Sequence, residues 1–198
     1  MKLFYRTLAC AGLSALAFTS PASAAQGPSF KCPEKMSSSV EDIICRTPEL
    51  GALDRTLAAA YNAALKKAGA DSRVLKAEQR GWIKGRDECW KSDDKPACIS
   101  SRYRQRTVEV QSTYGLVAST GPVTYDCGRN GTVSATFFQT EPPSLAAVYR
   151  DQRSLMTAAQ SASGSRYQGQ NESFREHQGE ARVTWGYGAA EMTCQKKS

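Results

Sequence analysis

Seven cysteines, Cys10, Cys32, Cys45, Cys89, Cys98, Cys127 and Cys194, stand in 198 residues. That density suits an oxidising compartment, and the odd count requires either a free thiol or a cysteine absent from the mature protein. The N-terminus favours the second. Residues 1–24 read as a secretory signal peptide, with Lys2 and Arg6 as the positive start and Leu8 to Phe18 as the short apolar segment. Ala22-Ser23-Ala24 is the small-residue cleavage site. Cys10 lies inside this segment, close behind Arg6, and lacks the full apolar stretch that a lipid-carrying cysteine would follow. Cleavage leaves 174 residues and six cysteines, and losing Lys2 and Arg6 lowers the formal charge from +7 to +5. The expected location is the bacterial periplasm or the medium. No later apolar run reaches the roughly 18 residues that a membrane-spanning helix needs.

The six remaining cysteines divide where the sequence changes its periodicity. Residues 25–114 have helical spacing. Ser39-Val40-Glu41-Asp42 can cap a short helix ending near Cys45. Thr47-Pro48-Glu49 is a strong helix start, followed by the stripe Leu50, Leu53, Leu57, Tyr61, Ala64 and Leu65 up to Gly69. Asp71 or Ser72 opens a second long helix carrying Leu75, Trp82, Ile83 and Cys89. After the polar loop Lys91 to Lys95, Pro96 starts a third, with Ile99, Tyr103, Arg106 and Val110 on one side. Short connections predict a small antiparallel hairpin or three-helix domain. Residues 115–122, uncharged with two glycines and a proline, read as a linker.

Residues 123–198 alternate instead, as in Val123, Tyr125, Cys127 and again Val133, Ala135, Phe137. Further short strands fit Leu145 to Tyr149, Ser165 to Gln168, Glu172 to Glu176, Ala181 to Trp185 and Glu191 to Cys194. Seven or eight strands with turns every 8 to 12 residues predict a small antiparallel barrel or sandwich, giving a two-domain α+β protein. Small domains of this kind often need staples. Cys127 and Cys194 bracket the β half. Among Cys32, Cys45, Cys89 and Cys98 three pairings are open, with Cys32–Cys45 and Cys89–Cys98 preferred.

The inventory for chemistry is thin. His177 is the only histidine, and neither Ser163 nor Ser165 sits in a nucleophile elbow. There is no phosphate loop or dinucleotide fingerprint, and zinc is disfavoured without a Cys-x-x-Cys. The expectation is a protein that is not an enzyme and has no cofactor or metal. The helical half carries net +4 and the β half +1, with signs mixed along both. That describes a solvated surface better than a nucleic-acid-binding one. The segment Ser161-Ala162-Ser163-Gly164-Ser165-Arg166-Tyr167 stands out as a tight, protruding turn with two favoured interface residues, Arg166 and Tyr167, at its exit.

Here two family resemblances enter. Tyr125-Asp126-Cys127, the motif Ser163-Gly164-Ser165-Arg166-Tyr167 and Cys194 make residues 123–196 resemble the MliC family, membrane-bound inhibitors of C-type lysozyme. Phe30-x-Cys32, Ile44-Cys45, Leu50-x-x-Leu53-Asp54, Tyr61, Gln79-x-x-Trp82-Ile83, Arg86-Asp87-x-Cys89, Cys98 and Tyr103 make residues 30–110 resemble the LprI-like helical domain of envelope proteins. The MliC resemblance implies an eight-stranded antiparallel barrel closed by Cys127–Cys194. It also implies a loop that enters the lysozyme cleft, where Ser163 would hydrogen-bond a catalytic carboxylate. A second family motif ends Thr-Lys-Gly. Here Gly179 aligns but Gln178 stands in the lysine's place, so Arg166, Arg175 or His177 would have to supply the cation.

The implied function is an exported lysozyme inhibitor whose partner is a C-type lysozyme, with a homodimer left open. A charge of +5 would oppose long-range approach to a basic lysozyme. The alternative is a non-inhibitory envelope module that contacts an envelope protein or peptidoglycan through its helical half.

Overall fold

The computed structural model describes residues 27–32, 34, 39–161 and 164–197. The expected signal peptide and Ser163 lie outside the described residues. The helical half runs α1 (Val40–Arg46), α2 (Pro48–Ala68), α3 (Ser72–Asp87) and α4 (Lys95–Thr113). Ser39 caps α1, its hydroxyl accepting the Asp42 amide at 3.3 Å. Thr47 precedes α2 without a side-chain cap, so the start rests on Pro48, whose fixed φ and missing N–H suit a first helical position. Gly69 ends that helix at φ +51. Asp94 caps α4 by accepting the Ala97 amide at 3.0 Å, which starts the helix at Lys95, one residue before the proline.

The apolar stripes meet in one core of Ile44, Leu50, Leu57, Ala64, Leu75, Ile99 and Val110. Through its middle runs a polar chain. The Ser29 amide donates to Asp54 Oδ2 at 2.6 Å, and the Tyr103 hydroxyl donates to Asp54 Oδ1 at 2.8 Å. Arg86 Nη1 donates to the Tyr103 oxygen at 3.0 Å, with its guanidinium near the faces of Trp82 and Tyr103. Burial pushes the Tyr103 hydroxyl well above its usual pKa, because a phenolate there would be desolvated beside Asp54. The disulfides are Cys32–Cys45 and Cys89–Cys98, the preferred of the three pairings. The first ties the N-terminal segment to α1, and the second ties the turn after α3 to the start of α4.

The β half is a closed barrel in sequence order: β1 (Ser119–Asp126), β2 (Thr132–Phe138), β3 (Ser144–Tyr149), β4 (Gln152–Ala159), β5 (Ser165–Gln168), β6 (Glu172–His177), β7 (Glu180–Trp185) and β8 (Met192–Lys196). Each strand is antiparallel to its neighbours. Inward residues include Tyr125, Val133, Ala135, Leu145, Met156, Tyr167, Phe174 and Val183. The closing seam is short, with Tyr125 opposite Lys196 and Asp126 opposite Gln195. Cys127–Cys194 staples the same two strands.

Two details depart from the sequence expectation. β4 shows no clean alternation, because Met156 fills the barrel while Leu155, on the outer face, pairs with Ala146, which is buried where α4 meets β3. Residues 119–122, expected as part of a linker, already belong to β1. Gly121 and Pro122 sit where the register to β2 shifts between Thr120 and Val123. A Cβ at Gly121 would stand 2.6 Å from the Ala135 carbonyl oxygen, so the glycine makes an irregularity within the strand rather than a break between domains. Among the described residues no helix is long and apolar enough to cross a membrane.

Candidate functional site

The site residues gather at one end of the barrel, where the β4–β5 connection meets the β6–β7 turn. Gly164, just before β5, has φ +67. A Cβ there would stand 2.4 Å from the Glu176 carbonyl oxygen and 3.3 Å from the His177 Cβ. Only glycine lets the connection press so closely on the end of β6. Gly164 is therefore held against the residues that lead into Gln178.

The β6–β7 turn is two residues, Gln178 at φ +52 and Gly179 at φ +87, flanked by the pair His177 and Glu180. Two successive positive φ values give the primed turn that matches strand twist. Glycine suits the second position, and Gln178 accepts a conformation that few side chains adopt. Two bonds hold the turn. The Gly179 amide donates to Glu176 Oε1 at 2.8 Å, and the Lys196 amide of β8 donates to the Gly179 carbonyl at 2.8 Å. Gln178 stands exposed at the apex of this braced turn.

The strands below sort the remaining expected residues by face. Ser165 pairs with Glu176, Arg166 with Arg175, and Tyr167 with Phe174. Tyr167 is only 9% exposed, with its ring edge-on to Phe137 inside the barrel. Its side chain belongs to the barrel core. Burial, and secondarily the Glu176 charge, raises the pKa of both Tyr167 and Tyr125. Arg166 and Arg175 point outward on adjacent strands. His177 and Ser165 are exposed at the barrel end. Thus Gly164, Ser165, His177 and Gln178 share one end of the barrel, and Arg166 and Arg175 lie on the adjoining wall.

Two neighbours of these residues were missed from the sequence. Glu176 braces the turn, and its signal was an acid three residues before a glycine. Arg182 sits opposite Arg175 and becomes visible only through strand register. Among the described residues no group of histidine, cysteine and acidic side chains could hold a metal ion.

Comparison with known proteins follows the same division. Residues 125–192 match the family described as membrane-bound lysozyme-inhibitor of c-type lysozyme, and residues 32–120 match the family described as lysozyme inhibitor LprI. Lipoprotein LprI of Mycobacterium bovis is 32% identical over 176 residues, covering 86% of this chain and 88% of that protein. Lipoprotein LprI of Mycobacterium tuberculosis matches to the same extent. No solved structure matches the chain. With both segments matched in this order and the full-length relatives covered almost throughout, the chain belongs to the LprI family of lysozyme inhibitors.

Proposed function

We propose that this protein is exported and inhibits C-type lysozyme by inserting the loop around Ser163 and Gly164 into the catalytic cleft. The observation that supports the reading is the contact of Gly164 with Glu176 and His177, the residues that lead into the Gln178-Gly179 turn. The Gln178-Gly179 turn is braced by Glu176 and β8, so little order has to be gained there on binding.

The chemistry suits the target. A lysozyme carries one carboxylic acid and one carboxylate at set positions. The Ser163 hydroxyl can donate to the ionised group or accept from the protonated one. Gln178 offers an amide N–H toward the other. An amide makes a neutral donor where related inhibitors offer an ammonium, so this half of the contact is the weaker. Occupying the cleft also displaces the sugar chain. The protein acts by blockade and catalyses nothing itself. Its compartment is the periplasm or the medium, where three disulfides persist.

The test is inhibition of a C-type lysozyme by the purified mature protein at micromolar concentration and at low and moderate salt. Ser163→Ala is expected to weaken inhibition about tenfold, the worth of one hydrogen bond to a charged group. Gln178→Lys is expected to strengthen it by about the same factor or more, since a charge-assisted bond replaces a neutral one. Against a basic lysozyme the +5 charge is expected to slow association at low salt, and added salt to relieve it. Absence of inhibition by the wild-type protein under all these conditions would overturn the proposal.

A further inference from the structure

Three arginines lie abreast on the outer wall of the barrel. Arg166 of β5 is directly opposite Arg175 of β6, and Arg175 is directly opposite Arg182 of β7. Their neighbours Tyr167, Phe174 and Val183 fill the interior, so alternation turns all three guanidinium groups outward. Directly opposed side chains on antiparallel strands have Cβ atoms about 5 Å apart, and like charges there repel.

The row is unequally compensated. Arg182 faces Glu180 at 3.3 Å and Glu191 at 3.8 Å. Among the described residues the guanidinium groups of Arg166 and Arg175 have neither an ion pair nor a hydrogen-bond partner. Ala159, across from Arg166 on the other side, offers none. The nearest acid in sequence, Glu176, has its carboxylate on the Gly179 amide, and Glu180 is held by Arg182 and Gln195. Two uncompensated guanidinium groups, one strand apart, form a fork whose planar donors match a single carboxylate placed between them.

We infer that Arg166 and Arg175 together bind one carboxylate side chain of the protein partner, on the rim of the cleft that receives the Ser163 loop. The partner's identity rests on the function proposed above. The position does not: Arg166 is two residues from Gly164, and Arg175 three from Gln178, so the fork continues the barrel-end surface down its wall. The fork then selects partners. A lysozyme with an acidic residue beside its cleft is favoured, and one with a basic residue there is rejected. That offers a route by which a basic inhibitor reaches its target despite its net charge.

Two measurements on the full mature chain test this. The first is affinity for a C-type lysozyme bearing an acidic cleft rim. Arg166→Gln/Arg175→Gln is expected to bind about tenfold more weakly, with a flatter salt dependence. Its melting temperature should be equal to or higher than wild type, because the repulsion is gone. A merely structural role would instead lower the melting temperature and leave affinity intact. The second is an NMR titration of the free protein with acetate at constant ionic strength, following the side-chain Nε–Hε signals. Arg166 and Arg175 should shift together while Arg182 stays still. Equal affinity of the double variant, or acetate shifts absent or shared by Arg182, would overturn the fork. Joint acetate shifts in a protein that binds no lysozyme would support the fork and remove the lysozyme reading instead.

Discussion

In the helical half a chain of hydrogen bonds runs from Ser29 through Asp54 and Tyr103 to Arg86, whereas Tyr125, Val133, Leu145, Met156 and Phe174 fill the centre of the barrel. The two halves are stapled accordingly. The helical disulfides close loops of 13 and 9 residues, and the barrel disulfide closes one of 67. A buried polar chain is directional: each member must be met by a partner from another element, so the network itself fixes how α2, α3 and α4 pack. An apolar barrel interior is not directional. Its weak place is the two-pair seam between β1 and β8, and there the long staple sits.

Breaking each half at its own support is the way to test this contrast. The largest effect is expected from Cys127→Ser/Cys194→Ser. Releasing a 67-residue loop costs about 4 kcal/mol in the chain-entropy view. Amide exchange should accelerate through 125–196 and stay slow in 40–113. Arg86→Met should do the reverse at about 2–3 kcal/mol, since it removes a charged hydrogen bond to Tyr103 and the stacking against Trp82. Denaturant unfolding read by exchange in 40–113 checks it. Gly164→Ala is expected to cost about 1–2 kcal/mol, the added methyl meeting the Glu176 carbonyl in a left-handed conformation. Its larger consequence should be loss of inhibition, with the rest of the barrel still protected.

The smallest effect is the pH response. The folded-state pKa of Tyr103 is raised, so its contribution is complete below the unfolded value near 10 and is lost as pH rises beyond it. Tyr125 and Tyr167 are raised in the same direction in the barrel, with the pull of burial again first. Both halves should therefore weaken above about pH 10, and Tyr103→Phe should flatten that slope in the helical half.

Much of this was legible in sequence because period carries it. The stripe from Leu50 to Leu65 made α2, and the alternation around Val133 to Phe137 made β2. Turn chemistry carried more: Pro48 and Gly69 marked the ends of α2. What escaped was whatever depends on a second element. β4 was hidden because Leu155 faces outward beside a strand that α4 covers. Gly121-Pro122 looked like a linker because the close approach of Ala135 is invisible along the chain. Tyr167 looked like an interface residue, and only register shows it pointing inward. The arginine row, likewise, exists only after β5, β6 and β7 are aligned.

Whether the barrel end or the helical half meets the partner is the central question, and hydrogen-exchange footprinting answers it most directly. The mature protein would be mixed with a C-type lysozyme and its amide exchange compared with that of the free chain. Expected is new protection confined to residues 160–168 and 175–180, with 40–113 unchanged. Protection confined to 40–113, with the barrel end exchanging as in the free protein, would contradict the assignment of the inhibitory surface to the Ser163 loop and the Gln178 turn.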